Sequence, residues 1–324
     1  MKALWSIPGP PNEMLAVDDT LITADAGTIV AFDHDGKERW SREFPSVVRD
    51  LTRCGHGVAF TQKAHRNAAE AVQAVDLAGK DLWRYERAWG LLFNGITGDD
   101  HGVVLYGQDD GPGVRNRWVG IDAVSGAVTF DVSPATNVGA TLAGEWMIAS
   151  LGDGDGSDGV VRTTRNGAEP TTLTKLAHLA FATNGVVVLL RAADETVAIE
   201  LATGRERWRA PGGDNFEIAI DNGRAAWVEH SPSGDRPVVY DLASGSALWR
   251  GAPVPPPPRT RGEGYRCKLA DHALVCYSGF AAVTFFALSS ADPLRSGPRA
   301  DEGLFLGARF IEPSADLISC WEVP

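Results

Sequence analysis

The segment from residue 152 to residue 159 carries the side chains best suited to bind a metal ion. Carboxylate and hydroxyl oxygens are the ligands that Ca²⁺ prefers, and here they belong to Asp153, Asp155, Ser157 and Asp158. The spacing departs from an EF-hand-like loop, because Asp158 stands where a glycine is required and no glutamate closes the site. The segment therefore indicates either a calcium site or a solvated flexible loop, and its glycines favour the loop.

A proline run further along the chain could bind another protein. Residues 253–258 read Pro-Val-Pro-Pro-Pro-Pro, and proline fixes φ at a value that leads to polyproline II structure. Arg259, Arg261 and Arg266 follow the run, and Arg259 and Arg261 are candidates for the same contact. We interpret the segment either as a docking strip for a partner or as a stiff spacer between two repeats, and the sequence favours the spacer.

The cysteines show no metal-binding or redox spacing. No C-x-x-C pair occurs among Cys54, Cys267, Cys276 and Cys320, so we expect reduced thiols carried on strands. Cys267 and Cys276 flank a predicted turn, and a disulfide across that hairpin is the alternative.

Composition and charge disfavour several classes of partner. The chain of 324 residues has a net charge of −12, which disfavours nucleic acid and anionic membranes because both bind proteins largely through lysine and arginine. Residues 1–14 contain no apolar stretch of signal-peptide length. No run reaches the about 18–20 apolar residues of a membrane span. We therefore expect a cytoplasmic protein without membrane insertion.

A repeated segment indicates which elements must position these residues. Five segments share an apolar strand, an acidic residue, a short turn with glycine, and an aromatic residue four positions after that glycine. The glycine and aromatic pairs are Gly36/Trp40, Gly79/Trp83, Gly126/Phe130, Gly204/Trp208 and Gly245/Trp249. The acid can accept hydrogen bonds from the turn, the glycine can adopt a positive φ, and the ring can fill the space between stacked sheets.

Three degenerate copies, which begin at Val161, Val283 and Leu317, complete the series. Each interval between copies has room for two further strands, so each repeat predicts a four-stranded propeller blade. The last copy lacks its fourth strand, and residues 2–7 resemble one. The sequence therefore predicts an all-β fold: a single β-propeller domain over residues 1–324 with eight four-stranded antiparallel blades, in which the N-terminal strand completes the C-terminal blade. Seven blades are the alternative.

The repeat resembles that of the PQQ-like, quinoprotein-type β-propeller family, whose blades carry Ala-x-Asp-x-x-(Ser/Thr)-Gly-Lys-x-x-Trp. The segments that match this pattern end at Trp40, Trp83, Phe130, Trp208 and Trp249, and they are spread over most of the chain. The family contains quinoprotein dehydrogenases, which bind PQQ with calcium, and non-catalytic scaffolds such as an eight-bladed outer-membrane assembly lipoprotein. The resemblance implies that the repeated acid, glycine and tryptophan are structural.

Three observations favour the non-catalytic branch of this family. The chain is much shorter than the dehydrogenases, it has no vicinal Cys-Cys pair, and no Asp, Glu and Asn cluster aligns with their calcium and base positions. We therefore predict no catalytic residue, no PQQ, and a protein–protein interaction scaffold that binds through its loop face. Phe93, Tyr265 and Phe280 are the aromatic residues that we expect to be exposed there. The alternatives are a small-ligand or calcium-sensing propeller and a quinoprotein-like oxidoreductase.

Overall fold

The structure is a computed structural model, and the residues that it describes form β-strands and turns without a helix. These residues are 2–9, 11–65, 68–86, 91–109, 116–133, 138–150, 160–164, 171–174, 180–192, 194–213, 215–257, 264–278, 282–298, 303–314 and 317–323. The chain divides into two compact units, a first unit of Pro10–Lys175 and a second unit of Met1–Gly9 with Leu176–Pro324. Strand β1 (Lys2–Pro8) belongs to the second unit. Among the described residues there is accordingly no helical segment that could span a membrane.

The first unit contains four antiparallel sheets, each built from four strands in chain order. Blade 1 consists of β2 (Glu13–Val17), β3 (Thr20–Asp25), β4 (Thr28–Phe32) and β5 (Glu38–Glu43). Blade 2 consists of β6 (Val47–Cys54), β7 (Gly57–His65), β8 (Ala68–Asp76) and β9 (Asp81–Glu86). Blade 3 consists of β10 (Leu91–Gly98), β11 (Gly102–Asp109), β12 (Asn116–Asp122) and β13 (Val128–Val132). Blade 4 consists of β14 (Val138–Ala143), β15 (Trp146–Ser150), β16 (Val160–Thr164) and β17 (Thr171–Thr174).

The second unit contains the other four sheets. Blade 5 consists of β18 (Ala180–Thr183), β19 (Val187–Ala192), β20 (Glu195–Glu200) and β21 (Glu206–Pro211). Next along the chain come β22 (Asn215–Glu217) and blade 6, which consists of β23 (Ala219–Asp221), β24 (Arg224–Glu229), β25 (Arg236–Asp241) and β26 (Ala247–Arg250). Blade 7 consists of β27 (Tyr265–Leu269), β28 (Ala273–Ser278), β29 (Ala282–Ala287) and β30 (Pro293–Pro298). Strand β22 pairs in parallel with β27 and adds a fifth strand to that sheet.

The eighth blade joins the two ends of the chain. It consists of β31 (Leu304–Leu306), β32 (Arg309–Pro313), β33 (Leu317–Glu322) and β1. Strand β1 pairs antiparallel with β33, from Lys2 opposite Glu322 to Pro8 opposite Leu317. The predicted closure by the N-terminal strand is therefore confirmed, and eight four-stranded blades exclude the seven-blade alternative. The description as a single domain stays a prediction.

The repeated turns have the chemistry that the sequence predicts. The Asp122 carboxylate accepts hydrogen bonds from the Val124 N–H at 3.1 Å and the Ser125 N–H at 2.7 Å. Glycine follows at a positive φ, +68° at Gly126, where a residue with a side chain is strained. The same arrangement recurs at Asp33, Asp76 and Asp241. The carboxylates of these acids therefore stabilise their own turns by accepting backbone hydrogen bonds.

The repeated tryptophan binds the turn of the following blade. In three cases the next blade keeps both the acid and the glycine of the repeat. There the indole N–H donates to the carbonyl oxygen of the residue directly after that acid, and the ring lies beneath that glycine. The donor and acceptor pairs are Trp40 to Leu77 at 2.8 Å, Trp83 to Ala123 at 2.9 Å, and Trp208 to Leu242 at 3.0 Å. The tryptophan therefore connects two blades by one hydrogen bond and one ring contact. Phe130 keeps the ring at this position but has no N–H to donate.

All four cysteines lie on described strands, where their side chains are buried and form no disulfide. Cys267 and Cys276 lie directly opposite each other on β27 and β28, with their Sγ atoms 3.6 Å apart. Burial raises the pKa of the Cys54 thiol to about 12, and the neighbouring Asp122 charge adds to this effect. Because the thiolate is the reactive form of cysteine, the Cys54 thiol is a poor nucleophile.

Candidate functional site

The segment 251–257, named the proline strap, follows β26 at the end of blade 6 that also carries the loop 230–235. We call this the loop end of the blade. The Gly251 N–H donates to the Pro237 carbonyl oxygen at 2.9 Å, and the Val254 N–H donates to the Asp235 carbonyl oxygen at 2.9 Å. Both acceptors lie at the loop end of blade 6, so one side of the strap is fixed to that blade.

Two further hydrogen bonds fix the strap to blade 7. The Ala252 N–H donates to the Ala291 carbonyl oxygen at 2.7 Å. The Ser278 hydroxyl, at the end of β28, donates to the Pro255 carbonyl oxygen at 2.5 Å. Since proline has no N–H, the strap contributes its few available amides and a carbonyl oxygen to these bonds. The backbone is thereby held between two neighbouring blades.

The exposure of the strap side chains follows a period of three. Val254 is buried, at 5% exposure, and Pro257 is half-buried three residues later. Pro253, Pro255 and Pro256 are exposed. A polyproline II helix has three residues per turn, so Val254 and Pro257 share the face that packs on the protein. Pro253 and Pro256 share another face, which is open to solvent.

Asp235 contacts the strap through its backbone, and its side chain is held by two neighbouring residues. It accepts a hydrogen bond from the Tyr265 hydroxyl at 2.7 Å, and its other oxygen lies 2.7 Å from Nδ1 of His230. The His230 side chain is 73% exposed, while that of Asp235 is 15% exposed. The carboxylate of Asp235 thus connects blade 6 to Tyr265 of blade 7, and its backbone carbonyl oxygen binds Val254 of the strap.

The expectation that Tyr265 is an exposed aromatic residue is wrong. Tyr265 is 1% exposed and packs in a core with Val228, Cys267 and Phe286. The ring lies inside because Tyr265, Cys267 and Leu269 alternate with Arg266 and Lys268 along β27, and the apolar set faces the core. Tyr265 thus positions Asp235 and does not offer its ring to a partner.

Most of the other predicted site residues lie beyond the part of the chain that the structure describes. These are the calcium candidates Asp153, Asp155, Ser157 and Asp158 and the partner-binding candidates Arg259, Arg261 and Phe280. Phe93 lies on β10, and its side chain is outside the described set as well. In the described ranges, no group of three or more His, Cys, Asp and Glu side chains is arranged to hold a metal ion.

The attachment of the strap was missed at the level of sequence, although one residue carries a signal for it. A Cβ atom on Gly251 would lie 2.6 Å from the Trp249 ring and 2.9 Å from Pro237. A glycine two residues before a proline run can therefore mark a close approach of the backbone to the preceding blade. The pairing of His230 with Asp235 has no such signal, because it depends on how the loop 230–235 folds back.

A cavity of about 490 Å³ lies in the first unit, where blade 3 faces blade 4. Its lining includes the Phe130 ring, Leu142, and the polar side chains of His101 and Glu145. Phe130 stands here at the position that tryptophan occupies in other blades. This volume is in the range of small-molecule pockets. If the chain binds a small ligand, which is one alternative from the sequence, this cavity has the size to hold it.

The shifted carboxyl groups of the repeat act as hydrogen-bond acceptors. Hydrogen bonding from the Ser125 N–H and hydroxyl holds the pKa of Asp122 below its usual value, and the Ser244 hydroxyl and N–H do the same to the pKa of Asp241. A general acid at neutral pH needs a raised pKa. These two groups are shifted in the opposite direction.

Comparison with known proteins shows the fold of the chain. No family model matches the chain, and no curated protein matches it. Among solved structures, it is similar to BamB from Moraxella catarrhalis, with a TM-score of 0.63, 11% identity and coverage of 99% of both chains.

Two redox enzymes are also similar in structure. The quinohemoprotein alcohol dehydrogenase ADHIIG from Pseudomonas putida HK5 matches with a TM-score of 0.60 and 13% identity, over 98% of this chain and 76% of that chain. The dihydro-heme d1 dehydrogenase NirN, in complex with DHE, matches with a TM-score of 0.60 and 15% identity, over 94% of this chain and 70% of that chain. The chain thus has a β-propeller fold, and at these identities the likeness concerns the fold alone.

Proposed function

We propose that this chain is a non-catalytic β-propeller that binds another protein through the proline strap at the loop end of blades 6 and 7. The observation that carries the proposal is the combination of a fixed backbone and exposed rings. Hydrogen bonds to two blades hold residues 251–255, while Pro253, Pro255 and Pro256 remain open to solvent. On the sequence alone the spacer interpretation was favoured, and this combination is our reason for preferring the docking strip.

A spacer would need neither feature. A stiff segment that only connects β26 to β27 gains nothing from presenting proline rings to water, because apolar surface is costly to expose. A docking segment gains from both, since a backbone that is already ordered loses little conformational entropy when a partner binds. Val254 orders the backbone of the strap, because its buried side chain anchors the segment while the neighbouring prolines stay exposed to solvent.

The ionisable groups at the loop end support a structural role in preference to catalysis. Asp235 is engaged by Tyr265 and His230, and its backbone binds the strap. The repeated acids of the described blades are engaged by their own turns, at Asp33 and Asp241 for example. We propose that Asp235 and His230 help to build the binding surface, and that the chain needs no cofactor for this function. A cytoplasmic location remains a prediction.

The proposal is tested by affinity capture with the whole chain. The tagged wild-type chain is incubated with a lysate of its native host at physiological salt, beside the triple variant Pro253→Ala, Pro255→Ala, Pro256→Ala, which keeps Val254. A matched control is Leu294→Ser, which removes an exposed apolar side chain of β30. We expect a stoichiometric protein partner with the wild type and the control, and about a tenfold or greater loss with the triple variant.

Two results of this capture would contradict the proposal. One is that the triple variant retains the same partner as the wild type, which would place the contact elsewhere. The other is that the wild-type chain captures no stoichiometric partner. Equal thermal unfolding midpoints for the three proteins would confirm that the variants are folded.

A further inference from the structure

We infer that the partner binds Pro253 and Pro256, which form an exposed polyproline II ridge on the strap. The partner does so with a groove lined by aromatic side chains. This inference rests on the proposed function and names the chemistry of the partner. The period of three in side-chain exposure is the observation behind it. This period selects Pro253 and Pro256 as the exposed pair. The composition of the segment alone indicates only that it is rich in proline.

The ridge has a fixed spacing. A polyproline II helix rises about 3.1 Å per residue, so residues three apart lie on one face about 9 Å from each other. Pro253 and Pro256 are such a pair, and both are exposed. Val254 and Pro257 form the equivalent pair on the face toward the protein, where Val254 is buried. A partner groove therefore needs two ring-sized pockets at this separation.

The remaining exposed proline, Pro255, lies on a third face of the helix. Its carbonyl oxygen accepts the Ser278 hydroxyl hydrogen bond, so its backbone is turned toward blade 7. The Pro253 ring lies above Gly234, where a Cβ atom would be 3.2 Å from the Pro253 Cβ atom. Gly234 thus leaves room for the Pro253 ring, which packs on it with its other side open to solvent. We assign the primary contact to the Pro253 and Pro256 ridge for these reasons.

Aromatic side chains are the chemical match for such a ridge. Grooves that recognise polyproline II segments are lined with aromatic rings, against which proline rings pack flat. The helix has no internal hydrogen bonds, so its conformation costs little entropy to hold when proline and an anchored backbone already fix it. The period of three in exposure fits this conformation, so we expect the strap to hold it before the partner binds.

The test is a comparison of single alanine variants of the whole chain along the strap. The probe is the protein that co-elutes with the wild-type chain in the capture experiment, purified and measured by biolayer interferometry. Pro253→Ala and Pro256→Ala should each weaken binding about tenfold or more, because each empties one pocket of the groove. Pro257→Ala is the matched control, and we expect its affinity to stay within about twofold of the wild type because this ring faces the protein.

Synthetic peptides provide a second readout that is independent of how the variants fold. The competitor has the sequence of residues 253–258, and its control carries alanine in place of both ridge prolines, Pro253 and Pro256. The first peptide should displace the partner from the wild-type chain, and the control peptide should not.

The outcomes separate the two proposals. If binding depends on the strap but falls equally for all three alanine variants, and if both peptides compete alike, the ridge inference is wrong and the scaffold function stands. If the wild-type chain captures no partner, the scaffold function fails and the ridge inference falls with it. A partner lost only with Pro253→Ala and Pro256→Ala, and displaced only by the native peptide, is the result we expect.

Discussion

Replacing Trp83 with alanine should lower the free energy of unfolding of the first unit by about 3–5 kcal/mol. Trp83 is 8% exposed and packs in the core between blade 2 and blade 3. Its indole N–H donates to the Ala123 carbonyl oxygen at 2.9 Å, and its ring lies against Gly126. The substitution therefore creates a cavity between two blades and removes a hydrogen bond at the same time.

The matched control for this prediction is Trp83→Phe. Phe130 occupies the same position in the repeat of the next blade, so a phenyl ring fits the geometry. This variant keeps most of the ring contact and loses the N–H donor, for which we expect about 1 kcal/mol. Chemical denaturation followed by tryptophan fluorescence and by circular dichroism measures both variants. Trp83→Ala no less stable than Trp83→Phe would show that the ring does not connect the blades.

Replacing Gly245 with alanine should be among the most destabilising single changes in the second unit. Gly245 has a φ of +71°, and a Cβ atom there would lie 2.6 Å from the Trp208 ring. The left-handed backbone costs an alanine about 1–2 kcal/mol. The overlap with Trp208 adds about 1–3 kcal/mol, because the ring is held by its hydrogen bond to Leu242 and cannot move freely.

Gly223→Ala separates these two contributions. Gly223 has a φ of +76°, close to that of Gly245, and a Cβ atom there would meet nothing within 4 Å. It should therefore show the backbone cost alone. The difference between the two variants, measured by thermal unfolding under the same conditions, reports the contact between blades. Equal destabilisation by both substitutions would contradict the description of the tryptophan as a cross-blade contact.

The fold was predictable because its signal is local and repeated. The acid, the glycine and the aromatic residue of a segment such as 119–130 lie within one hairpin, so their spacing does not depend on the rest of the chain. Repetition then multiplied this signal. The closing strand β1 was predictable for the same reason, since residues 2–7 repeat a fourth strand that blade 8 lacks.

The cross-blade contacts were predictable only in part. The sequence indicates a ring between stacked sheets, but the acceptor of the Trp83 N–H, the Ala123 carbonyl oxygen, lies 40 residues away. Such a partner depends on how two blades are packed, and backbone oxygens leave no trace in the sequence. Gly79 and Gly126 are needed both for their positive φ and for the tryptophan beneath them, and only the first reason is visible in one hairpin.

The candidate site was the least predictable part of the molecule. Polyproline II structure follows from residues 253–258, but which proline faces outward depends on the Val254 anchor and on Asp235 and Ser278. Tyr265 is a different case, because the alternation of residues 265–269 already places it with Cys267 on the inner face. The expectation of an exposed ring failed because it weighed residue type above strand periodicity.

The central claim, a protein partner bound at the strap, is tested most directly by photo-crosslinking from a single introduced cysteine. The native cysteines of the described strands are buried, so Ser233→Cys beside the strap can be labelled selectively with a benzophenone maleimide. Val186→Cys, 52% exposed in the native chain and at the opposite end of blade 5, is the control position. We predict that the captured partner crosslinks to position 233 and not to position 186. Crosslinking from position 186, or from neither position, would contradict the account.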